Sequence, residues 1–386
     1  MVKKFKIMIC LSLIISLALS TAIVNGDTAP FDINAKSAIL IDANTGTVLY
    51  EKNIHEKLPP ASVTKIMTML LVMEAIDSNK ITLNDKVTVS ERASKMGGTQ
   101  LYLEPGEVKT VEELMKGVAI RSANDASLAL GEHIAGTEEL FVQEMNRRAK
   151  ELGMNNTTFV NTNGLPAEGH VTTAYDIAIM SRELLKHKSI HKWLTTWMDT
   201  VVVGKRQSEQ SLVNTNRLIN SYQGANGIKT GYTTEALHCL SASATRGGTT
   251  FISVILAAPS SQVRFNEAAK LLDYGFANYN TVEVVKKDGF VGNISLNKGK
   301  KAEIELVAKD NLNVLVKKGE EAKVHKEIVL PEFINAPIKK GDTVGEIIVK
   351  LDETEVGKID IVSKEDVEKS SIINTLGKMF NTMMGK

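Results

Sequence analysis

The chain has 386 residues, of which 43% are apolar and 24% charged, and a formal charge of +1. This balance excludes a disordered polymer and offers no basic excess for nucleic acid, while the length exceeds one ordinary core and suits two domains with appendages.

Residues 1–26 read as a secretory signal peptide. Lys3, Lys4 and Lys6 precede an apolar stretch and a run of small residues, with cleavage expected after Ser20, Ala22 or Gly26. A retained membrane helix is the alternative, but the apolar core is short for a bilayer span. Removing the segment takes away three lysines and lowers the formal charge to −2. Cys10 lies inside the apolar core, so no lipid-attachment cysteine follows the leader. Cys239 is then the lone cysteine, and no intramolecular disulfide is expected.

Residues 37–53 show two β-type runs around Asn44-Thr45-Gly46, a hairpin signature. From 60 to about 277, segments of helical apolar period at 61–77, 111–134, 138–152 and 174–185 alternate with Gly/Asn loops. Runs at 236–244 and 250–257 have the texture of buried strands. The expectation is an α/β (α+β) domain over 27–280 whose sheet pairs the early hairpin with the late strands. Over 281–364 short alternating runs at 293–296, 302–307, 313–316, 346–351 and 358–362, broken by Lys-Gly and Gly-Asp turns, predict a small all-β domain. Residues 365–386 place Ile372, Ile373, Leu376, Met379, Phe380, Met383 and Met384 on one helical face, an amphipathic helix suited to lying in a membrane interface. Packing on the protein or on a partner is its alternative.

Within 61–77, Ser62 and Lys65 stand one helical turn apart. The spacing alone is cheap: Ser189 with Lys192 and Ser295 with Lys298 share it. Context separates Ser62. Pro59 and Pro60 end the preceding segment, so Ser62 falls in the first turn of an apolar helix, where unpaired N–H groups favour negative charge. A simple helix cap is the ordinary alternative. Lys65 lies among Val63, Ile66 and Met69, and burial there favours its neutral amine, a base within reach of the hydroxyl.

Two further signals follow in order. Ser122 and Asn124 occur in RSANDAS, and Lys229, Thr230 and Gly231 in GIKTGYT, the chain's one Lys-Thr-Gly. Lys229 and Thr230 offer a cation and a hydroxyl to an anionic substrate end, and Gly231 admits a substrate backbone close to the strand. Ser122 can relay a proton between Lys65 and a leaving amine, and Asn124 can hold both Lys65 and a substrate amide. A second cation near Lys65 would lower its pKa further.

With ASVTK, SANDA and GIKTGYT, the chain resembles the low-molecular-mass D-alanyl-D-alanine carboxypeptidases, penicillin-binding proteins that share this triple pattern with class A β-lactamases. The likeness extends to FVNTNGLP, to TGYTTEALHCLSASATRGG, to the β domain and to the tail, and is closest to DacF-type members of spore-forming bacteria. It implies a penicillin-recognising serine transpeptidase/β-lactamase-like domain. It implies attack by Ser62 on the terminal D-Ala-D-Ala bond of peptidoglycan stem peptides, with the backbone N–H groups of Ser62 and Tyr232 as the oxyanion hole. β-Lactams would acylate the same serine, and the tail would hold the enzyme on the outer face of the cell membrane. No cofactor or metal is implied. Ala123 stands where many members carry glycine and Asn163 where histidine is frequent, departures that leave every catalytic group in place.

A class A β-lactamase would need a Glu-x-x-Leu-Asn loop between the second and third motifs, and neither Glu151 nor Glu183 has that spacing. A DD-endopeptidase is a nearer alternative. A non-catalytic wall-binding protein is disfavoured by the intact motifs. His187 and His191 are four apart on an expected helix but lack the glutamate of His-Glu-x-x-His, so a solvated face is expected; Cys239 reads as a buried structural cysteine.

Overall fold

The computed structural model describes residues 31–370. The leader 1–26 and the tail from 371 onward lie outside the described residues. Residues 365–370 are not helical: Val367 and Lys369 make isolated β-bridges to Ile338 and Gly299, so the expected tail helix does not begin at 365.

Strands β1 (Ser37–Asp42) and β2 (Val48–Lys52) form the expected antiparallel hairpin, with Ile41 opposite Val48. In its turn the Asp42 carboxylate accepts from the Thr45 amide and hydroxyl, and Gly46 takes a φ of +80°, which costs glycine little. The chain then builds helices α1 (Lys65–Asp77), α2 (Asn124–Ala135), α3 (Glu138–Glu151) and α4 (Ala174–Leu185). It returns as strands β3 (Ala225–Thr233), β4 (Leu237–Arg246) and β5 (Thr249–Ala258) before helix α5 (Ser261–Asn278). The five strands make one antiparallel sheet in the order β2-β1-β5-β4-β3. The early hairpin thus pairs with the late strands, as expected, and every residue of β1 is buried because the strand is internal. Strand β3 was not legible from periodicity: NGIKTGYT is rich in glycine and polar residues. Helix α5 was also missed, although Phe265, Ala268, Leu271, Leu272 and Phe276 do recur at helical spacing and are all buried.

Helix α1 is buried on every side from Lys65 to Met73, as an element that is apolar all round must be, and packs against α2 and α4. The continuous helix expected over 111–134 is broken. A helix at Val111–Lys116 widens into a π-type turn at Gly117–Arg121, Ser122 adopts left-handed φ 71° and ψ 34°, and α2 starts afresh at Asn124. The 97–103 loop supplies what the helix would have: the Asn124 amide donates to the Thr99 carbonyl, and Asn124 Nδ2 to that of Gly97.

The 161–166 loop joins these helices. The Thr162 carbonyl accepts from the Thr68 hydroxyl of α1 and the Ser127 hydroxyl of α2, while the Thr162 amide donates to the buried Glu138 carboxylate of α3. Beyond Asn278 the described residues form strands and turns, apart from a 3₁₀ turn at Glu321–Lys323. Strands Phe290–Asn297, Glu303–Ala308, Thr343–Leu351 and Thr354–Ser363 contribute to a six-stranded sheet, and Tyr279–Val285 pairs with Leu312–Lys317 in a two-stranded one. Ile304, Leu306, Ile347, Val349 and Ile361 belong to a core of their own. Strands Tyr279–Val285, Val324–Val329 and Phe333–Asn335 had not been foreseen; the last two are largely exposed and lack an alternating pattern.

Gly164 is the tightest point of the 161–166 loop. Its φ is +86°, and an added Cβ would lie 1.8 Å from the Ala61 carbonyl oxygen. Gly164→Ala should therefore cost about 2 kcal/mol or more, read as a lower midpoint in urea denaturation with an unchanged slope.

Candidate active site

The two prolines deliver the chain into a short 3₁₀ turn, Ala61–Thr64, that runs straight into α1. Ser62 therefore sits one turn before the α-helix proper, close to the position expected. Its hydroxyl does not cap the helix; it accepts from Lys65 Nζ at 3.1 Å. Ala61 is held at φ 48°, a strained conformation for alanine, and the surrounding contacts maintain it. Thr64 Oγ1 donates to the Ala61 carbonyl and lies 2.9 Å from His170 Nε2. His170 Nδ1 accepts from the Val160 amide, so the ring proton belongs on Nε2 and is donated to Thr64. Burial pushes the His170 pKa down to about 4, so the ring is a neutral brace at neutral pH.

Lys65 is fully buried. Its Nζ reaches Ser62 Oγ, Asn124 Oδ1 at 2.6 Å and the Asn163 carbonyl at 2.6 Å. Burial holds its pKa well below the ordinary lysine value, the positive charge of Lys229 lowers it further, and Asp125 opposes both. An ammonium would give one proton to each of the three oxygens. A neutral amine has two N–H groups and one lone pair, so it can keep both amide oxygens while the lone pair faces the serine hydroxyl. The geometry thus holds a base against a hydroxyl.

Ser122 and Asn124 flank the break before α2, and both are buried. Asn124 bridges Lys65 and the 97–103 loop through its two amide atoms. Among the described residues the Ser122 hydroxyl takes no part in these hydrogen bonds; its left-handed backbone and its N–H, which donates to the Gly117 carbonyl, set its position. Asp125, which drew no attention in the sequence, accepts from the amides of Leu101, Leu103 and Ala126. Burial raises its pKa against those bonds.

The third motif lies on β3, an edge strand of the sheet. Lys229 is buried, and desolvation followed by the charge of Arg264 pushes its pKa down to about 7. Thr230 Oγ1 donates to Thr215 Oγ1 at 2.8 Å. A Cβ on Gly231 would stand 3.1 Å from the Ser62 amide nitrogen, which is how closely strand and serine turn approach. Tyr232 is 57% exposed and stacks on His238 with ring centroids 4.6 Å apart. Of the residues singled out in the sequence, the structure joins Ser62, Lys65 and Asn124 by hydrogen bonds, sets Gly231 against the Ser62 amide and puts Lys229 near enough to Lys65 to act on its charge, while Ser122 lies two residues before Asn124 without a hydrogen bond to the others. A cleft of about 490 Å³ opens beside them between Pro59–Ala61, the 164–171 segment and Thr233 with Glu235.

Several contributors escaped sequence reasoning. Asn163 was noticed only as a departure from histidine, whereas its main-chain oxygen is what meets Lys65. Thr215, His170 and Arg264 carry no local signature. The remaining candidates have other partners: His187 Nδ1 lies 2.6 Å from Asp77 Oδ2, His191 Nε2 donates to the Leu185 carbonyl, and the Cys239 thiol, buried and pushed up to about 11, donates to the Ala236 carbonyl.

A serine and a buried lysine on a helix under an antiparallel sheet, faced by Ser-Ala-Asn and an edge Lys-Thr-Gly, define a penicillin-recognising serine peptidase fold. Residues 23–260 match the D-alanyl-D-alanine carboxypeptidase model of peptidase family S11, and residues 279–369 match the C-terminal domain of penicillin-binding protein 5. The chain is 51% identical to D-alanyl-D-alanine carboxypeptidase DacF of Bacillus subtilis over 274 residues, covering 70% of each chain. It is 40% identical to DacC of Escherichia coli, over 71% of this chain and 69% of the relative. Penicillin-binding protein 5 of Haemophilus influenzae superimposes with a TM-score of 0.74 at 29% identity, covering 89% of this chain and all of that one. The chain belongs to the D-alanyl-D-alanine carboxypeptidase family. Its activity is that of a serine-type, penicillin-binding D-alanyl-D-alanine carboxypeptidase.

Lowering a lysine pKa from 10.5 to about 7 corresponds to on the order of 5 kcal/mol. Between those pH values the unfolded chain keeps a proton that the folded chain releases. Lys229 therefore opposes folding most at neutral and lower pH, and the penalty fades as the pH rises toward 10.5. Lys229→Met should be no less stable than the natural chain in urea denaturation at pH 7, with the difference narrowing at alkaline pH.

Proposed function

We propose that Ser62 is the nucleophile and Lys65 its general base in a two-step acyl transfer on peptidoglycan stem pentapeptides. The observation that carries this reading is the fully buried Lys65, whose amine is fixed by two amide oxygens and meets a hydroxyl that has no capping role. Ser62 Oγ attacks the carbonyl carbon of the penultimate D-alanine as its proton passes to Lys65 Nζ. The N–H groups of Ser62 and Tyr232 hold the oxyanion. The C–N bond then breaks, the terminal D-alanine leaves with a proton relayed through Ser122, and water later releases the acyl group from Ser62. Asn124 keeps Lys65 and the substrate amide in place. Lys229, with Thr230, binds the terminal carboxylate, and Gly231 lets the peptide lie along β3. A β-lactam presents the same acyl carbon and carboxylate and acylates the same serine.

The enzyme works on this reading outside the cytoplasm, delivered by the leader 1–26 and attached to the outer face of the membrane by the amphipathic tail. Among the described residues no helix is long and apolar enough to cross a membrane. The likeness to DacF supports a place in the wall chemistry of a spore-forming cell.

Intact-mass spectrometry after a penicillin pulse should show one covalent adduct. Ser62→Ala should lose the adduct and all D-alanine release, and full labelling of that variant would refute the mechanism. Lys65→Ala should slow acylation by about 10²–10⁴-fold, the range of general-base catalysis, with an unchanged circular dichroism spectrum. Because Lys229 binds the carboxylate only while protonated, kcat/KM should fall as the pH climbs through about 7. A substrate with an amidated C-terminus should lack that limb.

A further inference from the structure

Arg264, near the start of α5, is buried, and among the described residues it has no carboxylate within ion-pair distance. Its Nε has no hydrogen-bond partner, and burial pushes the guanidinium pKa down to about 10. A buried, unneutralised cation is costly to a fold, and such groups gather where they serve a site.

What Arg264 touches is specific. Nη1 donates to the Gly231 carbonyl at 2.9 Å and to the Cys239 carbonyl at 3.3 Å, and these two residues stand opposite each other in the β3–β4 register. Strand β3 is an edge strand with β4 as its neighbour. A Gly231 carbonyl that shares a donor with Cys239 is turned toward β4. The peptide bond is planar and trans, so the Tyr232 N–H at its other end points the opposite way, to the open edge. Gly231 also lies against the serine turn, where an added Cβ would stand 3.1 Å from the Ser62 amide nitrogen.

We infer that Arg264 is a positioning residue for acyl transfer: by holding the Gly231 carbonyl it fixes the Gly231–Tyr232 peptide plane and so aims the Tyr232 N–H at the developing oxyanion beside Ser62. The inference rests on the nucleophile reading of Ser62. Without the guanidinium that peptide can rock about the strand axis, and an oxyanion donor out of line loses most of its effect on the transition state while substrate binding changes little. Arg264 also places a positive charge near Lys229, so its loss has a second, electrostatic signature that a mere strut would lack.

The test uses the full chain with Arg264→Lys, which keeps the charge on a shorter side chain that falls short of the Nη1 position, and Arg264→Gln, which loses both charge and reach. kcat and KM for a D-Ala-D-Ala peptide are measured across pH, alongside the penicillin acylation rate and thermal unfolding. Both variants should keep their fold, lose at least tenfold in kcat and in acylation rate, and hold KM within about threefold at the lower pH values. The limb near pH 7 should move upward in Arg264→Gln and stay in place in Arg264→Lys. If Arg264→Gln does not fold, Arg264→Lys decides alone. A folded Arg264→Lys with full kcat, a loss confined to KM, or a loss of rate that merely follows the folded fraction overturns the inference. Failure of the Ser62 reading would appear separately, as absence of labelling and D-alanine release in the natural enzyme.

Discussion

The site depends on the removal of Lys65 from water. A lysine amine is a useful base at neutral pH only if its charged form is made unfavourable, and a core position achieves this where a surface position cannot. Helix α1 supplies that position because its neighbours are apolar on all sides. Two amide oxygens, from Asn124 on one element and Asn163 on another, then hold the nitrogen so that its third valence meets Ser62. Much of the surrounding architecture follows from those two oxygens. The helix break at Ser122 presents Asn124, and the 161–166 loop, tied through Thr162 to three helices, presents Asn163.

A second constraint is electrostatic. Lys65, Lys229 and Arg264 are all buried in one region, and the charge of each depresses the next in line: Arg264 acts on Lys229, and Lys229 on Lys65. Such an arrangement opposes folding and is complementary to an anionic guest. On the proposed reading, a peptide terminus with its carboxylate and an oxyanion forming nearby bring the negative charge that offsets these cations. The same chain of cations pushes Lys65 toward its neutral amine.

The sequence made legible the groups proposed to do chemistry and much less of what surrounds them. Ser62, Lys65, Ser122, Asn124 and Lys229 were recoverable because short motifs carry them in order, and the hairpin at 37–53 was recoverable from an unmistakable turn. The helix over 111–134 was misread because apolar periodicity persists through Gly117–Arg121, whereas the break arises from Ser122 in a left-handed conformation and from hydrogen bonds between Asn124 and the loop at Gly97 and Thr99. Strand β3 has almost no apolar alternation because its buried run, 227–231, is made of glycine, lysine and threonine with one isoleucine. Arg264, His170 and Thr215 make their hydrogen bonds to main-chain atoms or a single hydroxyl, interactions that require no particular spacing. Helix α5 is different: its pattern was present and was overlooked.

The order of strands has a consequence for how the enzyme comes into being. Strand β1 pairs with β2 at once, but its other neighbour is β5, more than 200 residues later, and β3 reaches the serine turn only as the outermost member of that sheet. The contacts are therefore strongly non-local, a feature that slows folding. A chain emerging from its N-terminus carries Ser62 and Lys65 early, yet the five-stranded sheet whose edge lies against the serine turn cannot close before Thr249–Ala258 has been made. The first part of the domain to be synthesised thus waits for the last before its sheet is whole.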